Sequence, residues 1–132
     1  MAARTIMIVD DTHDHRDILA RLLRAIGYRV VEAEPGEQAI ARAQAEAPDL
    51  VLTALSLPGQ PLWETARALR ALPALHTTPM LGTTVLTTLL PHSRIRRIMG
   101  LDYVDKPFDF DDLLERIRAL LPDTSPAPAL AA

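Results

Sequence analysis

The sequence predicts a doubly wound α/β fold, in which a five-stranded parallel sheet carries helices on both faces. Short apolar runs alternate five times with longer stretches of helical period. The run over residues 50–55 has no polar residue before Thr53, as expected of a strand that is covered on both faces. Repeated strand–helix pairs form right-handed crossovers, which place the helices on the two faces of a parallel sheet.

The chain length indicates one domain, because 132 residues can enclose one core but not two. We expect this domain over residues 1–121. The stretch 122–132, "PDTSPAPALAA", has no periodic apolar pattern and is predicted to be a flexible tail. With the chain ending there, the sequence predicts a stand-alone module without an attached DNA-binding domain.

Composition excludes several classes of protein. The hydrophobic fraction of 48% and the charged fraction of 23% are ordinary for a globular domain. A net charge of −3 argues against a nucleic-acid surface, and the absence of cysteine excludes thiol chemistry. The first apolar run, residues 6–9, is too short for a signal peptide or a membrane span, so a cytoplasmic protein is expected.

The first two strand–helix pairs lie before Pro48. Residues 6–9 form the first predicted strand, and Gly27 is placed to end the helix that follows it. Residues 28–33 form the second strand, and Pro35 and the next glycine open the second helix. The stripe of the first helix is predicted to be Ile18, Leu19, Leu22, Leu23 and Ile26, and that of the second Ala39, Ile40, Ala43 and Ala47.

The remaining strands are predicted over residues 50–55, 78–84 and 101–105. Between the last two, residues 92–99 suggest a short fourth helix, and Asp109 is placed to cap the fifth. The apolar stripes are Leu62, Trp63, Ala66, Leu69 and Leu72 in the third helix, and Leu113, Leu114, Ile117, Leu120 and Leu121 in the fifth.

A ligand site is predicted at one edge of this sheet. Parallel doubly wound sheets bind ligands outside the carboxyl ends of their strands, near the switch point in strand order. Four predicted strands end there in residues that could form such a site: Asp10 and Asp11, Ala54 and Ser56, Thr84, and Lys106.

These motifs resemble the receiver domain of two-component response regulators. The resemblance runs from about residue 4 to residue 121 and includes "IMIVDD", "PDLVLTALSLPG", "TPMLGTT" and "DYVDKPF" in matching order. It implies a flavodoxin-like sheet with the strand order 2-1-3-4-5. In such domains an aspartate at the end of the third strand accepts a phosphoryl group from a kinase, and here that position holds Ala54.

The resemblance also implies a magnesium site. Asp10 and Asp11 would bind Mg²⁺ together with the acceptor aspartate, and the backbone carbonyl of Ser56 would be a further ligand. These residue types are suited to Mg²⁺, because the ion takes oxygen ligands and needs only one or two protein carboxylates. With Ala54 in place of a carboxylate, only weak Mg²⁺ binding is expected.

Three further roles follow from the same resemblance. Thr84 and Lys106 would contact phosphoryl oxygens, and Tyr103 would be the aromatic residue that changes rotamer on activation. The surface of the fourth helix, fifth strand and fifth helix would bind a partner or a second copy, with Arg94, Arg97 and Tyr103 on it.

The predicted function is protein binding without aspartate phosphorylation, because the attacking group must be an oxygen and Ala54 has none. The chain is therefore not expected to be an enzyme. Its expected partner is a histidine kinase or a downstream signalling protein, and no direct contact with nucleic acid or membrane is expected.

Two alternatives stay open at this stage. Ala54 could be an engineered replacement for aspartate in an ordinary receiver, although "QPLW" after Gly59 departs from the family pattern and favours natural divergence. A magnesium-dependent phosphatase of the haloacid dehalogenase type needs two aspartates separated by one residue, whereas Asp10 and Asp11 are adjacent. No zinc site is expected from the four scattered histidines, His13, His15, His76 and His92.

Overall fold

Five strands form one parallel sheet in the computed structural model, which describes residues 3–56, 59–84, 102–105 and 109–121. The strand order is β2-β1-β3-β4-β5, and all four neighbouring pairs are parallel. This confirms the predicted fold and strand order. The strands are β1 (Thr5–Val9), β2 (Arg29–Ala33), β3 (Leu50–Ala54), β4 (Met80–Thr84) and β5 (Asp102–Asp105).

Four helices accompany these strands among the described residues. The helix predicted over residues 92–99 and the tail 122–132 lie outside them, so the fifth predicted helix is labelled α4. No helix in the described ranges is long and apolar enough to cross a bilayer. The helices are α1 (His13–Ala25), α2 (Glu37–Glu46), α3 (Pro61–Ala71) and α4 (Phe110–Leu120), with a short 3₁₀ helix at Pro73–Leu75.

The core has one cluster on each face of the sheet. Met7, Val9 and Val51 pack with the buried residues of α2 and α3, while Ile8 and Leu52 pack with those of α1 and α4. Successive side chains of a strand point to opposite faces, so continuously apolar strands supply both clusters. The helices therefore cover both faces, as the sequence predicts.

The end of α2 differs from the prediction at Ala47. The helix ends at Glu46, and Ala47 is its C-cap with φ 46°, in the left-handed region, where it is exposed rather than part of the apolar stripe. Pro48 follows and cannot continue the helix hydrogen bonding. Gly27 has φ 108° just after α1, a conformation that glycine adopts without steric cost.

The buried side of α1 also differs from the predicted stripe. Ile18 is 55% exposed and Leu22 is 39% exposed, whereas Arg16, Ala20 and Leu23 are the buried residues of the helix. The three buried positions follow the spacing i, i+4 and i+7, which defines one face of a helix. The prediction that Ile18 and Leu22 share one stripe with Leu23 is therefore wrong as a description of the buried face.

This orientation of α1 has a measurable consequence. Leu23→Ala should destabilise the fold by about 2–5 kcal/mol, because Leu23 is fully buried and its truncation leaves a cavity. Ile18→Ala, on the exposed face, should change the free energy of unfolding by less than about 0.5 kcal/mol. Urea unfolding followed by circular dichroism would compare the two, and equal losses would contradict the orientation.

Candidate functional site

The carboxyl ends of four strands lie at one edge of the sheet. Val9 is in register with Thr53, and Ala54 with Thr83. Thr84, the last residue of β4, is in register with Asp105. Asp10 directly follows Val9, so the acid-bearing end of β1 adjoins the end of β3, which in turn adjoins β4. The structure thus places the ends of β1, β3 and β4 side by side, at the switch point in strand order between β1 and β3.

Ala54 is the last residue of β3 and is buried. The hydroxyl of Thr53 donates to the carbonyl of Ala54 at 3.0 Å, and the amide of Leu55 donates to the carbonyl of Thr83 at 2.9 Å. The second of these bonds joins β3 to β4 directly after position 54, where Ala54 is in register with Thr83. The side chain presented from this position is a methyl group, which offers neither a nucleophile nor a metal ligand.

The two aspartates after β1 have different environments. Asp10 is buried, and its Oδ1 accepts a hydrogen bond from the amide of Thr12 at 2.8 Å. Asp11 is exposed, and its carboxylate lies 3.5 Å from the hydroxyl of Thr12. Within the described residues, Oδ2 of Asp10 accepts no hydrogen bond. One carboxylate oxygen thus shapes the loop after β1, while the other takes no part in that loop.

Arg16 is a buried cation beside this loop and was not among the site residues predicted from the sequence. Its Nη1 donates to the carbonyl of Asp10 at 2.7 Å, and its Nη2 lies 3.3 Å from Nδ1 of His13. Its Nε lies 3.4 Å from Oε1 of Glu32 on β2. Its burial could have been inferred from helical periodicity, because Arg16 precedes Ala20 and Leu23 by four and seven residues and therefore lies on the same helix face.

The other predicted site residues that the structure describes are Ser56, Thr84 and Tyr103, which lie at or near the ends of β3, β4 and β5. Ser56 follows β3 and accepts a hydrogen bond at its Oγ from the amide of Trp63, at 3.0 Å. Thr84 is buried at the end of β4. Tyr103 lies within β5 and is buried in the cluster that includes α2 and α3. Its side chain is therefore not exposed on the partner surface that was predicted to include it, because it packs into the core instead. Its carbonyl lies 3.4 Å from Nη1 of Arg116, which donates to it.

Lys106, Arg94 and Arg97 lie outside the described residues, as does His92 of the scattered histidines. Of the other histidines, His15 and His76 are exposed. Among residues 3–56, 59–84, 102–105 and 109–121, no group of three or more His, Cys, Asp or Glu side chains forms a metal cluster.

The residues at this edge fit a divalent cation held by few protein ligands. Asp10 supplies a buried carboxylate with one oxygen not used by the loop, and Asp11 supplies a second carboxylate next to it in the chain. Magnesium commonly binds through one or two carboxylates and retains several waters. The donor set is therefore chemically suited to Mg²⁺, with one carboxylate fewer than an aspartate at position 54 would give.

The family profile described as "Response regulator receiver domain" matches residues 6–118. The chain belongs to this family of receiver domains, which are modules of two-component signal transduction. Among curated proteins, it is similar to the phosphate regulon transcriptional regulatory protein PhoB of Pseudomonas aeruginosa, with 34% identity over 136 residues. That match covers 99% of this chain and 57% of PhoB.

A second relative is the transcriptional regulatory protein CpxR of Escherichia coli K12, 34% identical over 121 residues, or 88% of this chain and 48% of CpxR. The chain thus spans about half the length of the curated relatives it matches.

Two solved structures show the same architecture. The chemotaxis protein CheY4 of Vibrio cholerae has a TM-score of 0.79 at 26% identity, covering 90% of this chain and 99% of CheY4. The receiver domain of the sensor histidine kinase PA1611 from Pseudomonas aeruginosa has a TM-score of 0.78 at 25% identity, covering 92% and 100% of the two chains. That domain has a magnesium ion coordinated in its active site cleft.

Proposed function

We propose that this chain is a receiver domain that acts by binding another protein and is not phosphorylated at the usual acceptor position. The observation that carries the proposal is the methyl side chain of Ala54 at the end of β3, in register with Thr83 and beside the acid-bearing end of β1. Incubation with acetyl phosphate and Mg²⁺, followed by intact-mass measurement, tests the proposal directly.

The chemistry of phosphoryl transfer supports this reading. Proteins accelerate it by placing charge around the transferring group, but a covalent intermediate also requires a nucleophilic side chain on the protein, which in receiver domains is the carboxylate at the position of Ala54. Asp10 and Asp11 would provide negative charge for a metal, and Thr84 and Lys106 would contact a phosphoryl group. None of these assignments replaces the attacking oxygen that position 54 lacks. We therefore assign no enzymatic activity to the chain.

We propose that Mg²⁺ binds weakly at Asp10 and Asp11, with the backbone carbonyl of Ser56 as a further ligand. Ala54→Asp should tighten Mg²⁺ binding about tenfold, or about 1.4 kcal/mol, because it adds a charged oxygen ligand. Trp63 is the single tryptophan and its amide contacts Ser56, so its fluorescence can follow the titration. Ala54→Asn adds similar volume without charge and should tighten binding less. Equal affinities for all three proteins would contradict the metal site.

Binding of a protein partner is supported by the apolar surface of α1. Ile18 and Leu22 are the large hydrophobic side chains exposed in the described part of the chain, and they lie one turn apart on the same helix. We propose a histidine kinase or a downstream signalling protein of the cytoplasm as the partner. The surface that carries Arg94 and Arg97 would serve a second contact, including one with another copy of the chain.

A further inference from the structure

The loop between β1 and α1 is tied to the edge strand β2 through one buried side chain. Arg16 is only 9% exposed, although arginine is rarely buried without partners. Its guanidinium donates to the carbonyl of Asp10 at 2.7 Å and faces the carboxylate of Glu32 at 3.4 Å. Glu32 lies on β2, so the side chain joins the loop to a neighbouring strand.

The same loop sets the direction of the Asp10 side chain. The amide of Thr12 donates to Oδ1 of Asp10, and the amide of Arg16 donates to the carbonyl of Thr12 at 3.1 Å. The Asp10 carbonyl and carboxylate are thus both restrained within one residue, the first by Arg16 and the second by Thr12. If the hydrogen bond from Arg16 were lost, only the hydrogen bond from the Thr12 amide would hold the Asp10 carboxylate in place.

We propose that Arg16 is a positioning residue of the acid site, whose guanidinium holds the loop after β1 so that the Asp10 carboxylate is presented for a cation. The proposal deepens the proposed magnesium site and rests on it. Arg16 carries a positive charge beside a cation site, which by Coulomb repulsion disfavours binding. Its contribution is therefore geometric: fixing the loop in advance outweighs the repulsion, which Glu32 partly neutralises.

This assignment and a purely electrostatic role predict opposite changes. If Arg16 acted only through its charge, Arg16→Met would tighten Mg²⁺ binding and Arg16→Lys would leave it unchanged. If Arg16 positions the loop, both variants weaken binding, because lysine keeps the charge but cannot reach the Asp10 carbonyl and Glu32 with separate nitrogens. Loss of residues that orient metal ligands lowers metal affinity by about 10–100-fold.

The experiment uses the full chain with Ala54→Asp as the background, since that protein should bind Mg²⁺ more tightly. Isothermal titration should show about tenfold weaker binding for Arg16→Met and a smaller loss for Arg16→Lys. Arg24→Met is the matched control, because Arg24 also faces Glu32, at 3.5 Å, but contacts the Val30 carbonyl rather than the loop. The Mg²⁺ affinity of this control should stay within about twofold of that of the Ala54→Asp protein, because Arg24 and Glu32 form a partly exposed ion pair.

A structural loss is separated from the positioning role by a second measurement. Without metal, the amide of Thr12 should exchange its hydrogen about tenfold faster in Arg16→Met than in Arg24→Met. The reason is that loss of the Arg16 contacts lowers the free energy of local opening of the loop. Thermal unfolding of each variant establishes that the fold is intact. If Arg16→Met does not fold, Glu32→Gln removes the charged anchor on β2 and should show the same changes at reduced size.

The outcomes distinguish the two proposals. Unchanged or tighter Mg²⁺ binding in Arg16→Met overturns the positioning role of Arg16. If the Ala54→Asp protein binds no Mg²⁺, the proposed metal site fails, and the exchange of the Thr12 amide then decides alone. Unchanged exchange in the Arg16 variants would show that the loop does not depend on this side chain.

Discussion

The chain should acquire no phosphoryl group when it is incubated with acetyl phosphate and Mg²⁺, whereas its Ala54→Asp variant should be phosphorylated. The reason is the loss of the attacking oxygen: Ala54 ends β3 with a methyl group beside the acid-bearing end of β1. The expected effect is all or none, since no other residue is assigned the role of nucleophile. Intact-mass spectrometry measures it, and hydroxylamine treatment identifies an acyl phosphate by its release.

Two controls make this result specific. Ala54→Asn places a similarly sized group at the acceptor position without a nucleophilic carboxylate and should remain unmodified. The Ala54→Asp protein should carry its phosphoryl group on residue 54, which peptide mapping of the modified protein would show. A labile phosphoryl group on Asp10 or Asp11 of the unaltered chain would refute a function independent of phosphorylation.

Trp63→Ala should destabilise the domain by about 3–5 kcal/mol, a large part of the roughly 5–15 kcal/mol that holds a typical domain together. Trp63 is 1% exposed and belongs to the core cluster between the sheet and the pair α2 and α3. Its truncation removes the largest apolar side chain of that cluster and leaves a cavity that neighbouring residues fill only in part. Chemical denaturation followed by far-ultraviolet circular dichroism measures the loss.

The control for this prediction is Arg67→Ala on the exposed side of the same helix. Arginine and alanine have similar helix propensities, so its effect should be within about 0.5 kcal/mol. Trp63→Phe should lie between the two, because it keeps an aromatic ring but leaves part of the space empty. A loss for Trp63→Ala as small as that for Arg67→Ala would show that the core cluster does not depend on this side chain.

The parallel sheet and the edge that carries the site followed from patterns local in the chain, whereas the strand order 2-1-3-4-5 was implied by the resemblance to receiver domains. Continuous apolar runs such as residues 50–55 are long enough for strands but too short for helices, and their alternation with helical stretches requires a parallel sheet. Because parallel strands all end at one edge, Asp10, Ala54 and Thr84 could be assigned to the same place without coordinates. The register of β1, β3 and β4 agrees with this assignment.

The face that α1 turns toward the sheet could not be read from hydrophobicity alone. Ile18 and Leu22 have the apolar character of core residues, yet Arg16 takes the buried position in phase with Ala20 and Leu23. Burial of a guanidinium is tolerable only where its charge and donors meet partners. The Asp10 carbonyl accepts from Nη1, and Glu32 offsets the positive charge although Nε makes no hydrogen bond within the described residues. Glu32 is 16 positions away on β2, and the pairing of β1 with β2 brings it to Arg16.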